Sequence, residues 1–278
     1  MTLIHDSAHI DSSASIADDV RIGPWCWVGP DVHIGAGTIL DPGVTIVRNT
    51  VLGCRNHLYT GSVIGGDPQD RKYADEATTL EIGDDNAIRE HVTIHRGTGN
   101  GGSVTRVGSD NLFMVGSHIA HDCEIGDRVV LANQVMLAGH VRVEDGASIG
   151  GGVGVHHFAT IGCLSFIGGL ARISRDVPPF MIAEGHPAEI RAVNVIGMLR
   201  NGYEQADVDA VKDAHRVLFR SGSSQDGVCE LRDRYGEVEA VVRLCDAVEA
   251  SSRGVHGRAL ESARQDDKWA AAPAKVDD

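Results

Sequence analysis

The sequence predicts a mainly β protein, a parallel β-helix of hexapeptide repeats over residues 1–179 followed by a small C-terminal α-helical domain over 180–253. Three observations predict it. Apolar residues recur at every sixth position. Glycine is abundant, 34 of 278 residues, while aromatic residues make up only 4%. Beyond Asp176-Val177-Pro178-Pro179 the apolar spacing changes from six to the i, i+3, i+4 pattern of a helix.

The sixfold beat runs through Ile10, Ile16, Ile22, Val28, Ile34, Leu40, Ile46, Leu52, Leu58 and Ile64. It resumes at Ile82, Ile88 and Ile94. From Val107 it is unbroken through Phe113, Ile119, Ile125, Leu131, Leu137, Val143, Ile149, Val155, Ile161 and Ile167 to Ile173. Four residues after each anchor the side chain is usually small, as at Ala14, Val20, Cys26, Val32, Thr38, Val44 and Thr50. A period of six suits neither a helix nor a simple strand. It suits a solenoid whose hexapeptides are short flat sides, each with one apolar anchor and one small residue turned inward.

Two segments break the phase, 65–81 and 97–106. Both are polar and rich in turn formers, and such insertions loop out from one face of a solenoid, often the binding face. The tandem prolines are expected to stop strand pairing. Val208, Val211, His215 and Leu218 predict a helix capped by Gly222. Two further helices are predicted around 225–235 and 237–252, and the tail 254–278 is expected to be disordered.

The formal net charge of −14 argues against a general nucleic-acid surface. No apolar run reaches the roughly 18 residues of a membrane span, and MTLIHDSAHIDSS lacks the regions of a signal peptide. None of the six cysteines forms a Cys-x-x-Cys pair, and Cys26 and Cys123 fall on the small inward position. They read as buried thiols in a reducing compartment, so a cytoplasmic location is expected.

The stretch Asn111–His140 places His118, His121, Asp122 and His140 within the repeat. In an 18-residue coil, residue n stacks on n+18 at a spacing of about 4.8 Å. His121, Gly139 and His157 then form one column, Asp122, His140 and Phe158 the next, and His156 aligns with Ala138 and Ala120. A lone histidine on such a face is ordinarily surface decoration. Five of the 14 histidines lie between 118 and 157, which favours chemistry. Imidazole suits a general base, a carboxylate can orient it, and a glycine N–H can approach a developing oxyanion unobstructed.

The segments GDPQDRKYADE, IREHVTIHRGT, VGSDNLFMVGSHIAHDCEIG, LAGHV and DVPPFMIAEG resemble the UDP-N-acetylglucosamine 3-O-acyltransferases, members of the hexapeptide-repeat acyltransferases. The resemblance runs from about Ile10 to Gly222 and implies a left-handed β-helix. It further implies acyl transfer from acyl-carrier protein to UDP-N-acetylglucosamine, the first step of lipid A biosynthesis, by a homotrimer with no metal or organic cofactor. In its terms His121 is the general base, Asp122 orients it, and the Gly139 N–H forms the oxyanion hole. Gln69, Asp70 and Lys72 contact the acceptor sugar and its diphosphate. His118, His140 and His156 shape the sugar or acyl pocket, Asn194 and Arg200 contact the nucleotide, and Gly169 leaves room for a longer acyl chain. The chain departs from the family pattern at His157, where glutamine is usual, at Ile196, where a carboxylate is usual, and at Asn201, where a basic residue is usual. His157 and Ile196 alter hydrogen bonding near the ligands.

Three alternatives compete with O-acyl transfer. One is N-acyl transfer to a 3-amino sugar nucleotide. Another is a zinc-dependent hydrolase using clustered imidazoles. The last is a non-catalytic trimeric scaffold, for which loss of the His–Asp pair is the expectation.

Overall fold

The structure is a computed structural model that describes residues 3–220, 224–253, 257 and 260. Its body is a left-handed parallel β-helix of hexapeptide repeats with three flat faces. The chain visits them in turn: Leu3–Ile4 on the first face, His9–Ile10 on the second, Ser15–Ile16 on the third, and Arg21–Ile22 back on the first. Successive coils pair in parallel, as Arg106↔Glu124↔Arg142↔Thr160 show with steps of one 18-residue coil.

Sequence and fold are linked through the corners. The apolar anchors from Ile22 to Ile173 point inward and are buried. Corner residues at six-residue spacing take positive φ, among them Asp122 at 59°, Arg128 at 54°, Gln134 at 62° and His140 at 61°. Glycine meets the same demand at Gly116, Gly146 and Gly152. The glycine that follows an anchor answers a different constraint: a Cβ on Gly29 would lie 1.8 Å from the Val47 carbonyl oxygen of the next coil.

Both insertions leave from the corner between the second and third faces. One separates the second-face strand Val63–Gly66 from the third-face strand Thr79–Ile82, and the other separates Thr93–His95 from Val104–Val107. The loops are therefore shorter than the phase break suggests, because strand pairing resumes within 65–81 and 97–106. Across them the register steps are longer than one coil, His57↔Ala87↔Leu112. An internal ladder of asparagines spans these steps. The Asn56 side-chain Oδ1 accepts from Asn86 N and Nδ2, and the Asn86 Oδ1 accepts from Asn111 N, so the buried polar groups hold the register through the interruption.

The expectation that strand pairing ends at Pro178-Pro179 is corrected. Val177 bridges Ile161 in parallel, Met181–Gly185 joins the first face beside Phe166–Ile167, and Ala188–Val193 returns antiparallel to it. The prolines occupy a corner, where no ladder N–H is required, so they turn the chain without ending the sheet. Four helices follow: α1 (Val195–Arg200), α2 (Gln205–Arg220), α3 (Ser224–Tyr235) and α4 (Glu239–Arg253). In α2, Val208, Val211, Ala214, His215 and Leu218 form the buried stripe. Gly222 and nearly all of 254–278 lie outside the described residues.

Candidate active site

The corner between the second and third faces carries, in chain order, the two insertion loops, then His121-Asp122, Gly139-His140 and His157-Phe158. His140 N donates to the His121 carbonyl at 3.0 Å, and Phe158 N to the Gly139 carbonyl at 3.2 Å, so the columns expected from the coil length are present. Their rings form a continuous array. His121 meets His140 edge-on at 5.2 Å, His140 stacks on Phe158 at 4.4 Å, and His157 lies edge-on to Phe158 and beside His156.

Asp122 is the centre of this corner. Its side chain is almost wholly buried, and a bare carboxylate there must be compensated by donors. Thr98 N donates to Oδ1 at 2.8 Å, Thr98 Oγ1 to Oδ2 at 2.7 Å, and His121 Nδ1 lies 2.7 Å from Oδ2. His140 Nε2 stands 3.8 Å from the same oxygen. The Asp122 N–H in turn donates to Thr105 Oγ1 at 2.8 Å. With Nδ1 held by the carboxylate, Nε2 of His121 is the nitrogen left to accept a proton, and the ring lies against Gly139.

His118 projects from the second face, on the rung between Thr93 and Met136, with its Nδ1 2.7 Å from Thr93 Oγ1. Burial, and then the charge of His121, lower its pKa. Behind it His95 meets His118 edge-on at 4.8 Å. Burial first, then repulsion from His118 and His121, pushes the His95 pKa down to about 4. Both rings are neutral at neutral pH, so they add shape and hydrogen bonds to the corner without adding charge.

Gln69, Asp70 and Lys72 lie on the first insertion loop, where Asp70 Oδ1 accepts from Lys72 N at 3.0 Å and the Asp70 carbonyl from Tyr73 N. The loop springs from the same corner as His121. Gly169 lies instead in the turn between Phe166–Ile167 and Arg172–Ile173, at the opposite edge of the second face. Asn194 and Arg200 are not on the His121 corner of their own chain. Asn194 caps α1, its Oδ1 accepting from Gly197 N and its Nδ2 donating to the Leu164 carbonyl, at the corner between the third and first faces. Arg200 is exposed in the last turn of α1, next to exposed Ile196.

Thr93, His95, Arg96, Thr98 and Thr105 were given no role by the spacing of the repeat. The first four reach the corner because the second insertion lengthens the coil step, Thr93↔His118, so counting by 18 does not find them. Thr105 instead lies after the insertion, one regular coil before Cys123, and bonds the neighbouring Asp122 N–H. The segment IREHVTIHRGT contains four of the five.

Two family models match segments of the chain. The model of the UDP-N-acetylglucosamine O-acyltransferase second domain matches residues 176–256, and that of the bacterial transferase hexapeptide matches 105–139. The chain belongs to the UDP-N-acetylglucosamine O-acyltransferase family. It is 42% identical to LpxA of Acinetobacter baumannii over 90% of this chain and 97% of that one, with a TM-score of 0.88. The enzyme of Moraxella catarrhalis is 43% identical over 89% and 97%, TM-score 0.85, and that of Francisella novicida 36% over 90% and 92%, TM-score 0.88. The protein is an acyltransferase. No helix among the described residues is long and apolar enough to cross a membrane.

Proposed function

We propose that the protein moves an acyl or 3-hydroxyacyl chain from an acyl-carrier-protein thioester to the 3-hydroxyl of UDP-N-acetylglucosamine, the first step of lipid A biosynthesis, with His121 as general base. The observation that carries the assignment is the His121 Nδ1–Asp122 Oδ2 contact at 2.7 Å, which leaves Nε2 beside Gly139. Nε2 takes the proton of the sugar hydroxyl as its oxygen bonds to the thioester carbonyl carbon. The Gly139 N–H receives the oxyanion, and on collapse the C–S bond breaks and His121 gives the proton to the departing thiolate. Asp122 orients the imidazole and stabilises its cation.

Gln69, Asp70 and Lys72 bind the acceptor sugar and diphosphate, a reading supported by the loop's origin at the His121 corner. His118, His140, His156 and His157 shape the pocket, and Gly169 borders the acyl path across the second face. Asn194 and Arg200 bind the nucleotide of a neighbouring subunit's site in a homotrimer, which accounts for their place at a different corner of their own chain. A His121→Ala variant tests the reading: it assembles as the wild type does and loses nearly all transfer, and retained transfer removes His121 as the base. Competition between UDP-N-acetylglucosamine and its 3-amino analogue distinguishes O- from N-acylation.

A further inference from the structure

The segment His95-Arg96-Gly97-Thr98 touches both halves of the reaction centre. On one side, Thr98 supplies two of the donors to Asp122, through N at 2.8 Å and Oγ1 at 2.7 Å. On the other, the fully buried Arg96 side chain donates to the Gly65 carbonyl, to Asp67 and to the Tyr73 hydroxyl, the last at 3.2 Å. These three partners bracket Gln69, Asp70 and Lys72. Gly97, between the two, has no room for a side chain: a Cβ there would lie 2.3 Å from Val104 N. Glu76, at the end of the first loop, packs against Gly99, where an added Cβ would lie 3.3 Å from its Cγ.

We propose that His95–Thr98 is a strap that positions the acceptor loop and the catalytic carboxylate relative to each other, with Arg96 and Thr98 as its two positioning residues. Thr98 acts on the base through Asp122. Its hydroxyl draws charge from Oδ2, the oxygen that faces His121, and so sets how strongly the carboxylate favours the imidazolium. Arg96 acts on the acceptor. Burying a guanidinium is tolerated only with its partners in place, so its bonds to Gly65, Asp67 and Tyr73 hold the loop in one conformation. Arg48 assists from the solvent side, 3.2 Å from Asp67 and also bonded to Asp75. The consequence is a division of labour within four residues: Thr98 governs proton transfer and Arg96 governs acceptor affinity. The strap rests on the acyl-transfer reading for its kinetic signature, but its effect on His121 is measurable without turnover.

Three variants of the full chain test it. Thr98→Val keeps the backbone N–H and removes only the hydroxyl donor. It is expected to lower kcat roughly ten- to hundredfold, because Oδ2 loses the hydroxyl that fixes its direction toward His121 Nδ1 and the imidazole is no longer held in line, with KM for the acceptor within about twofold. The carboxylate left with less compensation favours the imidazolium more strongly, so the acidic limb of the rate profile moves to higher pH. Thr98→Ser restores both. Arg96→Lys, which keeps the charge but not the planar fork, raises the acceptor KM roughly tenfold and leaves the acidic limb in place. The pH dependence of His121 carbethoxylation by diethyl pyrocarbonate, read by peptide mass spectrometry, gives the activity-independent arm. A shift to higher pH in Thr98→Val that Thr98→Ser reverses supports the strap. An unshifted profile in Thr98→Val, or equal effects of Arg96→Lys and Thr98→Val on KM and kcat, overturns it. Absence of transfer in the wild type, with the carbethoxylation shift intact, overturns the functional reading instead.

Discussion

A Cβ placed on Gly139 would lie 2.5 Å from Cε1 and 2.7 Å from Nε2 of His121, so the base occupies the space that any side chain at 139 would fill. Gly139 follows His121 by one coil, and its backbone is not in the positive-φ region, unlike its neighbour His140 at 61°. The glycine is therefore required by the approach of the imidazole, not by its own backbone.

Gly139→Ala is expected to push the His121 ring away from the Gly139 N–H, separating the base from the oxyanion donor, while leaving the coil paired. Initial rates should fall by roughly 10²–10³, comparable to losing one oxyanion donor. The circular-dichroism melting curve should move little, because the atom that must yield is the end of a side chain.

Asp122→Asn should be more damaging than a loss of charge alone implies. Thr98 N–H, Thr98 O–H and His121 Nδ1 all converge on the carboxylate, an acceptor-only group. An amide nitrogen must face one of these donors, and the His121 tautomer that leaves Nε2 free loses its support. A fall in kcat of roughly three to four orders of magnitude is expected from steady-state kinetics, as for an orienting aspartate in a triad.

Stability should depend on pH through His95. Burial holds its pKa near 4, against 6.5 for the free group. Above about pH 6.5 both folded and unfolded chains carry the neutral ring and there is no dependence. As the pH falls, the unfolded chain binds a proton that the native chain refuses, so stability declines between pH 6.5 and about 4 and levels off below. The loss approaches roughly 3 kcal/mol per chain. His118, also lowered by burial, adds in the same direction. Urea midpoints measured from pH 7 to pH 4 should show the decline, and His95→Gln should flatten it.

His121, Asp122 and His140 present ligand atoms within 4.8 Å of one another, a set that suits a transition-metal cation. An added metal bound there would compete for the His121 and Asp122 atoms that the base mechanism uses. Added Zn²⁺ is therefore expected to inhibit transfer, and chelation with EDTA to restore it and to leave the untreated enzyme's rate unchanged. Loss of activity on chelation would instead support metal-dependent chemistry.

Much of the fold was legible because the repeat is local. Anchors such as Ile119, Leu137 and Val155 are buried by the same corner geometry in every coil, so six residues of sequence specify their environment. The pairing of His121 with Gly139 and of Asp122 with His140 followed from the coil length alone. Where the coil length changes, that reasoning stops. Thr98 lies 24 residues before Asp122 across a coil lengthened by an insertion, and the 18-residue coil step does not connect them. The prolines at 178 and 179 misled for a related reason, since their effect depends on whether they fall on a ladder or at a corner.

By itself the sequence determined the β-helix, its phase, the column of His121, Gly139 and His157, and the helical spacing beyond the prolines. These depend on contacts between residues a fixed distance apart, and a periodic chain writes that distance into the order of its residues. Only the tertiary structure decided that both insertions leave from the His121 corner. It also decided that Thr98 and Arg96 hold Asp122 and the acceptor loop, and that buried His95 packs edge-on behind the half-buried His118. Those contacts join segments whose separation is set by loop length and not by the repeat, and their energy comes from burying polar groups that must then find one another.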